Sequence, residues 1–195
     1  MKLLHIDAGI TGEGSVSRQV SAAVVQAARD AIPALEVVRR DLDAQPIPHL
    51  GSQHLGTDEG AAVLQEFLDA DVIVIGAPMY NFSIPSQLKA WFDRVLVAGK
   101  TFAYTEQGPK GLAGGKKVII ASARGNLYAP GSPQAANDFH EPYLRAVFAF
   151  IGIDDVTIVR AEGVAFGPEQ RQAALQAALA AAPAVAAELG IALAA

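Results

Sequence analysis

Six residues, Ala77-Pro78-Met79-Tyr80-Asn81-Phe82, put a bent backbone, a side-chain amide and two aromatic rings side by side. Those parts suit a flat heterocycle with hydrogen-bonding edges. Asn81 can donate and accept together, and Tyr80 and Phe82 supply apolar walls. A second group, Ser15-Val16-Ser17, sets two hydroxyls at the start of a helical stretch, after Gly9, Gly12 and Gly14. The first turn of a helix carries unpaired N–H groups and binds a phosphate without a lysine. A third group is Ser122-Ala123-Arg124-Gly125-Asn126. Each also has a plainer reading: local aromatic packing, a capping serine, a surface arginine on a turn.

The elements that must position these groups alternate between strand and helix. Strands are expected at Lys2–Asp7, Leu35–Arg40, Val72–Ala77, Lys117–Ala123 and Val156–Glu162. Helices are expected at Arg18–Ala31, Glu59–Ala70, Pro85–Val97, Ala136–Ile151 and Glu169–Leu189, the last with a possible kink at Pro183. Val72-Ile73-Val74-Ile75 reads as a buried parallel strand. Five such units form one α/β domain over residues 1–195, a three-layer doubly wound parallel five-stranded sheet. All three groups then follow the carboxyl ends of strands, where open α/β sheets bind ligands. Asp7 to Ser15 lacks the spacing of a dinucleotide fingerprint and no Walker lysine follows, so a monophosphate is favoured. Gly99–Gly115 reads as a Gly-rich excursion.

Composition narrows the chemistry. Hydrophobic residues make up 51% of the chain and the net charge is −5. A nucleic-acid binder would carry a basic stripe, and none is visible. The chain has no cysteine, which excludes disulfides and thiolate catalysis. His5, His49, His54 and His140 show no ligand spacing, so no metal is expected. His5 reads as packed inside a strand, His49 and His54 as solvated in a loop. No signal pattern and no membrane-length apolar run appears, and a cytoplasmic protein is the expectation.

Met79-Tyr80-Asn81-Phe82, Ser15-Val16-Ser17 and Arg124-Gly125 resemble the flavin loops of the FMN-dependent azoreductase and quinone-reductase family. The likeness continues through Gln87-Leu88-Lys89, Thr101 to Glu106, Gly108 to Leu112, Phe150-Ile151-Gly152 and Ala161-Glu162-Gly163. It implies a flavodoxin-like strand order 2-1-3-4-5, which makes strands one, three and four neighbours and brings their loops to one crevice. FMN is the implied cofactor. Gly9, Ser15, Val16 and Ser17 would hold its phosphate, and Pro78, Met79, Tyr80, Asn81, Phe82, Ala123, Arg124, Gly125 and Asn126 would hold its ring. The family often has serine where Gly9 stands, a hydroxyl before the arginine where Ala123 stands, and glycine where Asn126 stands.

The resemblance implies hydride transfer from NADH or NADPH through the flavin to quinones and aromatic azo compounds, with ping-pong kinetics. It implies no catalytic side chain, since the cofactor carries the reactive atoms. It further implies a homodimer with shared active sites, in which Tyr104 and Phe150 are substrate-pocket candidates. Other readings stay open at this point: a flavodoxin-type electron carrier, a flavin reductase, or an interaction module that has lost flavin. A carrier usually displays a strong acidic docking face, and −5 over 195 residues is mild.

Overall fold

The structure, a computed structural model, describes residues 1–191. Its main sheet holds β1 (Lys2–Asp7), β2 (Glu36–Asp41), β3 (Val72–Pro78), β6 (Lys117–Arg124) and β7 (Val156–Glu162) in the order β2-β1-β3-β6-β7, all parallel. The helices between them are α1 (Val16–Ala31), α2 (Asp58–Asp69), α3 (Ser86–Val95), α4 (Glu141–Phe150) and α5 (Pro168–Ile191). A two-stranded ribbon, β4 (Phe102–Thr105) against β5 (Gly108–Gly111), stands apart from the sheet. With the ribbon set aside, the main order is the expected flavodoxin-like one.

Strand β3 is buried along its whole length. Its alternate residues divide between two cores, as the two-residue period of a strand requires. Ile73 and Ile75 join Leu4, Ile6, Phe67, Trp91, Phe92 and Phe148 beneath α2, α3 and α4. Val72 and Val74 join Leu3, Val20, Val24 and Ile119 beneath α1 and α5. Each fully buried Val, Leu, Ile or Phe contributes about 1.5–3 kcal/mol. Small residues let α5 lie close: Ala178, Ala182 and Ala186, one turn apart, are all buried. Helix α5 runs through Pro183 without interruption.

The observed boundaries differ where side chains recruit the backbone. Ser15 caps α1 and starts it two residues before Arg18. Pro85 stands as the N-cap of α3 rather than in its first turn. That helix stops at Val95, because the Thr101 hydroxyl donates to the Val95 carbonyl at 2.8 Å and accepts the Val97 N–H at 3.1 Å. Helix α4 starts five residues later than Ala136. A short turn over Ala135–Asn137 comes first, and the Asp138 carboxylate then accepts the N–H groups of His140 and Glu141 at 3.0 and 3.1 Å. The excursion folds as the β4–β5 ribbon, whose Pro109 lacks a donor and fits only an unshared edge. A Cβ on Gly111 would stand 2.1 Å from the Gly152 nitrogen, so only glycine lets the ribbon dock on the end of α4.

Candidate functional site

Beyond β3 the chain turns sharply. Tyr80 and Ser83 exchange backbone hydrogen bonds of 2.9 and 3.0 Å. Between them Asn81 and Phe82 have φ of 48° and 71°. Two successive left-handed residues make a mirror-image turn. Asparagine enters that region readily, but for a residue like phenylalanine it costs about 1–2 kcal/mol, and such strain clusters at functional sites. The loop N–H groups were expected to meet a heterocycle. Those of Met79 and Tyr80 are engaged by the Ala123 and Ser83 carbonyls. Those of Asn81 and Phe82 have no backbone acceptor among the described residues. Asn81 is exposed, and so is Phe82.

Two bonds tie three loops into one rim. The Met79 N–H donates to the Ala123 carbonyl at 2.8 Å. The Ile10 N–H donates to the Tyr80 hydroxyl at 3.2 Å. Ile10, Met79, Tyr80, Asn81, Ile84 and Gln87 are among the residues around a groove of about 630 Å³, within the range of small-molecule sites. Pro78 lies buried beneath it as the last residue of β3.

At the start of α1 the Ser15 and Ser17 hydroxyls lie 3.0 Å apart. Ser15 Oγ accepts the Arg18 N–H at 3.4 Å, a long cap. Val16 is buried between them. Among the described residues the Val16 and Ser17 N–H groups have no backbone acceptor, as the first turn of a helix dictates. A Cβ on Gly9 would stand 2.4 Å from Ser15 Oγ and 3.3 Å from Ser17 Oγ. Gly9 is therefore the floor of a cradle that a larger side chain would fill. Its carbonyl accepts Arg18 Nε at 2.8 Å. Sequence reasoning missed Arg18, whose guanidinium is held by the Asp41 carboxylate. That contact keeps Asp41 far below the usual carboxylate range. At Asp7 burial acts in the opposite sense, but His5, Arg39 and Ser21 outweigh it and hold that carboxyl low as well.

In the third loop the plainer reading of Arg124, a surface residue on a turn, does not hold. Arg124 is no surface residue: its side chain is 1% exposed and enclosed by acids. Nη1 lies 3.2 Å from Asp138 and 3.1 Å from Glu162, and Nη2 pairs with Glu141. Glu141 is also gripped by Arg160 at 2.8 and 2.7 Å. Burial pulls the Arg124 pKa down, opposed by Asp138 and Glu162. The guanidinium is thus committed to the interior, and the Arg124 carbonyl accepts the Val164 N–H at 3.1 Å. Gly125 and Asn126 lend their carbonyls to Ala165 and Gly163 at 3.1 and 3.2 Å, which fastens this loop to the turn after β7. Ala123 is buried and contributes the carbonyl that holds Met79.

Tyr104 and Phe150 do not join the groove of their own chain. Tyr104 is 77% exposed on the ribbon. It packs on Phe102 at 5.5 Å, and Phe102 packs on Phe150 at 4.7 Å. Phe150 ends α4, about 15 Å along that helix from its start beside the rim.

A family description of the flavodoxin-like fold matches residues 1–185. The chain belongs to this family. Its similarity to named relatives extends over nearly the whole length. An FMN-dependent NADH:quinone oxidoreductase of Xanthomonas oryzae pv. oryzae is 59% identical over 92% of this chain and 94% of its own. A second protein of that name, from Bradyrhizobium diazoefficiens, is 56% identical over 93% and 97%. Among solved structures, an FMN-dependent NADH-azoreductase of Bacillus anthracis in complex with FMN superposes with a TM-score of 0.87. It is 29% identical and covers 96% of this chain and 98% of its own.

Behind the rim of this flavodoxin-like chain lies His140, fully buried beside Arg124 and the carbonyls of Ala77 and Pro78. Burial, reinforced by the Arg124 charge, lowers its pKa from 6.5 to about 4. Between those values the unfolded chain binds the extra proton and the folded one does not. Stability is therefore complete above pH 6.5 and is lost as pH falls toward 4, by about 3 kcal/mol in all. Urea denaturation from pH 7 to 4.5 should show this slope, and His140→Gln should flatten it. An equal slope in the variant would assign the loss to other groups.

Proposed function

We propose that this chain is an FMN-dependent oxidoreductase that draws hydride from NADH and delivers electrons to quinones and aromatic azo compounds. The linkage of three loops into one rim through the Met79–Ala123 and Ile10–Tyr80 bonds carries the reading. The residues fit the cofactor. The Gly9–Ser15–Ser17 cradle offers the hydroxyl and N–H donors that a phosphate takes, and the open turn at Asn81 suits a heterocycle edge.

When bound, FMN supplies the two-electron chemistry that no side chain here offers. The chain's own part is binding and orientation. Ser15, Ser17 and the α1 N–H groups of Val16 and Ser17 hold the phosphate. The amide of Asn81, with the N–H groups of Asn81 and Phe82, fixes the ring edge in a conformation the turn has already set. Met79, Tyr80 and Phe82 exclude water from one border. Ala123, Gly125 and Asn126 offer backbone at the other, and buried Arg124 keeps that backbone in place. A single groove serves donor and acceptor in turn, which favours ping-pong kinetics over a ternary complex.

The decisive experiment loads the protein with FMN and works without oxygen. NADH should bleach the flavin absorbance, and a quinone or an azo dye should restore it, with parallel double-reciprocal lines at steady state. Reoxidation by a carrier protein alone would favour the electron-carrier reading.

Two further parts of the proposal concern the setting. Tyr104 and Phe150 reach a substrate only if a second copy presents them, and the family resemblance supports a homodimer with shared sites. Phe82 and Phe139, 48% and 59% exposed, are linked by the Phe139 N–H on the Phe82 carbonyl at 3.1 Å and give the rim an apolar border suited to such contact. Sedimentation at micromolar concentration should report a dimer, and a fully active monomer would refute it. The use of NADH supports a cytoplasmic location, and the net charge of −5 fits small-molecule rather than nucleic-acid partners. No helix among the described residues is long and apolar enough to cross a membrane.

A further inference from the structure

Far from the Asn81 groove, the loop after β2 closes over α2 and the end of α3 and leaves a cavity of about 410 Å³. It shares no lining residue with that groove. Its walls are largely aliphatic, from Leu50, Leu55, Leu64, Leu96 and Val97, with no Phe, Tyr or Trp among them. In this apolar wall stands one cation, Arg94, 4% exposed. Nη2 donates to the Pro48 carbonyl at 2.9 Å. Nε and Nη1 are buried with no partner, and among the described residues Arg94 takes part in no ion pair. Asp93, its neighbour in the wall, is engaged by Lys89. A buried, uncompensated guanidinium is among the costliest arrangements a fold can hold. It is relieved by an anion with acceptor oxygens.

The same wall carries a second donor. His54 Nδ1 accepts the Gly51 N–H at 3.0 Å, so the neutral ring keeps its proton on Nε2. His54, expected to be solvated, is half-buried and lines the cavity. Leu55, 69% exposed, stands at the mouth.

We propose that this cavity binds an aliphatic monocarboxylate, with the carboxylate drawn to the Arg94 charge in its wall and the chain along the leucines. Aliphatic rather than flat aromatic walls favour an alkyl chain. The lone positive charge with donors and no free carboxylate favours an anionic head. The site is separate from the redox reading and stands or falls without it.

Gly60 gives the test its clean variant. It lies in the first turn of α2 and lines the cavity. A Cβ there would meet Thr57 Oγ1 at 3.4 Å and Arg94 Cδ at 4.0 Å, ordinary contacts. Leucine at this position would grow into the cavity while improving helix propensity. Sodium octanoate and 1-octanol are titrated calorimetrically into the FMN-loaded protein. Octanoate should saturate one site per chain at least about tenfold more tightly than octanol. Gly60→Leu should abolish the saturable heat, and Arg94→Gln should bring octanoate down to the affinity of octanol. Gly60→Leu decides alone if Arg94→Gln fails to fold. No saturation by octanoate, equal affinity for the alcohol, or undiminished binding in Gly60→Leu would each overturn the proposal.

Discussion

Arg124→Met should lower the unfolding free energy by about 3–5 kcal/mol at neutral pH, the usual result of removing one partner from a buried ion cluster. Arg124 sits amid Asp138, Glu141 and Glu162, whose side chains are 12%, 8% and 16% exposed. Without it, Glu141 keeps Arg160, but Asp138 and Glu162 retain only neutral donors: the N–H groups of His140 and Glu141 on one, that of Tyr128 on the other. Methionine matches much of the volume, so the loss is chiefly electrostatic. A deficit below about 1 kcal/mol would show the cluster to be well solvated. Arg124→Lys, which keeps the charge but loses the planar fork, should fall between the two.

The same cluster shows where the sequence is legible and where it is not. Strand β3 announces itself by a run of β-branched residues with no polar interruption, and only a sheet covered on both faces buries such a run. From it the crevice and the positions of Met79–Phe82 follow, because chain order and parallel pairing leave few topologies. Arg124 was read as part of a flavin loop or as an arginine on a turn, and neither reading foresaw its burial. Its partners Asp138, Glu141 and Glu162 come from a turn, a helix and another strand, and no periodicity encodes that meeting. Arg18 was hidden for the same reason, since its grip on Asp41 crosses from α1 to β2. The ribbon escaped because its strands are four residues each, one of them Gly108-Pro109-Lys110-Gly111, too short for an alternation to read. The left-handed turn at Asn81 and Phe82 was missed because phenylalanine is a poor sign of positive φ; only Asn81 hinted at it. Ser15 carries both readings at once: it caps α1 through a long 3.4 Å bond, and its hydroxyl also faces that of Ser17.

Ser15→Ala combined with Ser17→Ala should weaken FMN by about two to three orders of magnitude. A hydrogen bond to a charged group is worth about 1.5–3 kcal/mol. Two such bonds would suggest more, but the effects are not additive here. The two hydroxyls lie 3.0 Å apart and bond each other without ligand, so their removal also spares the cost of separating them. The Val16 and Ser17 N–H groups remain at the helix terminus and keep part of the phosphate affinity. Stability should change little, because the Ser15 cap is long and the two hydroxyls bond each other, so that removing both leaves neither unpaired. Riboflavin supplies the contrast, having the same ring and no phosphate. Its affinity should be the same in parent and variant, so that the ratio of FMN to riboflavin binding collapses while ring binding persists. If both flavins weaken together, the serines shape the loop rather than hold the phosphate. If neither does, the phosphate lies elsewhere, and the cradle over Gly9 is only the start of a helix.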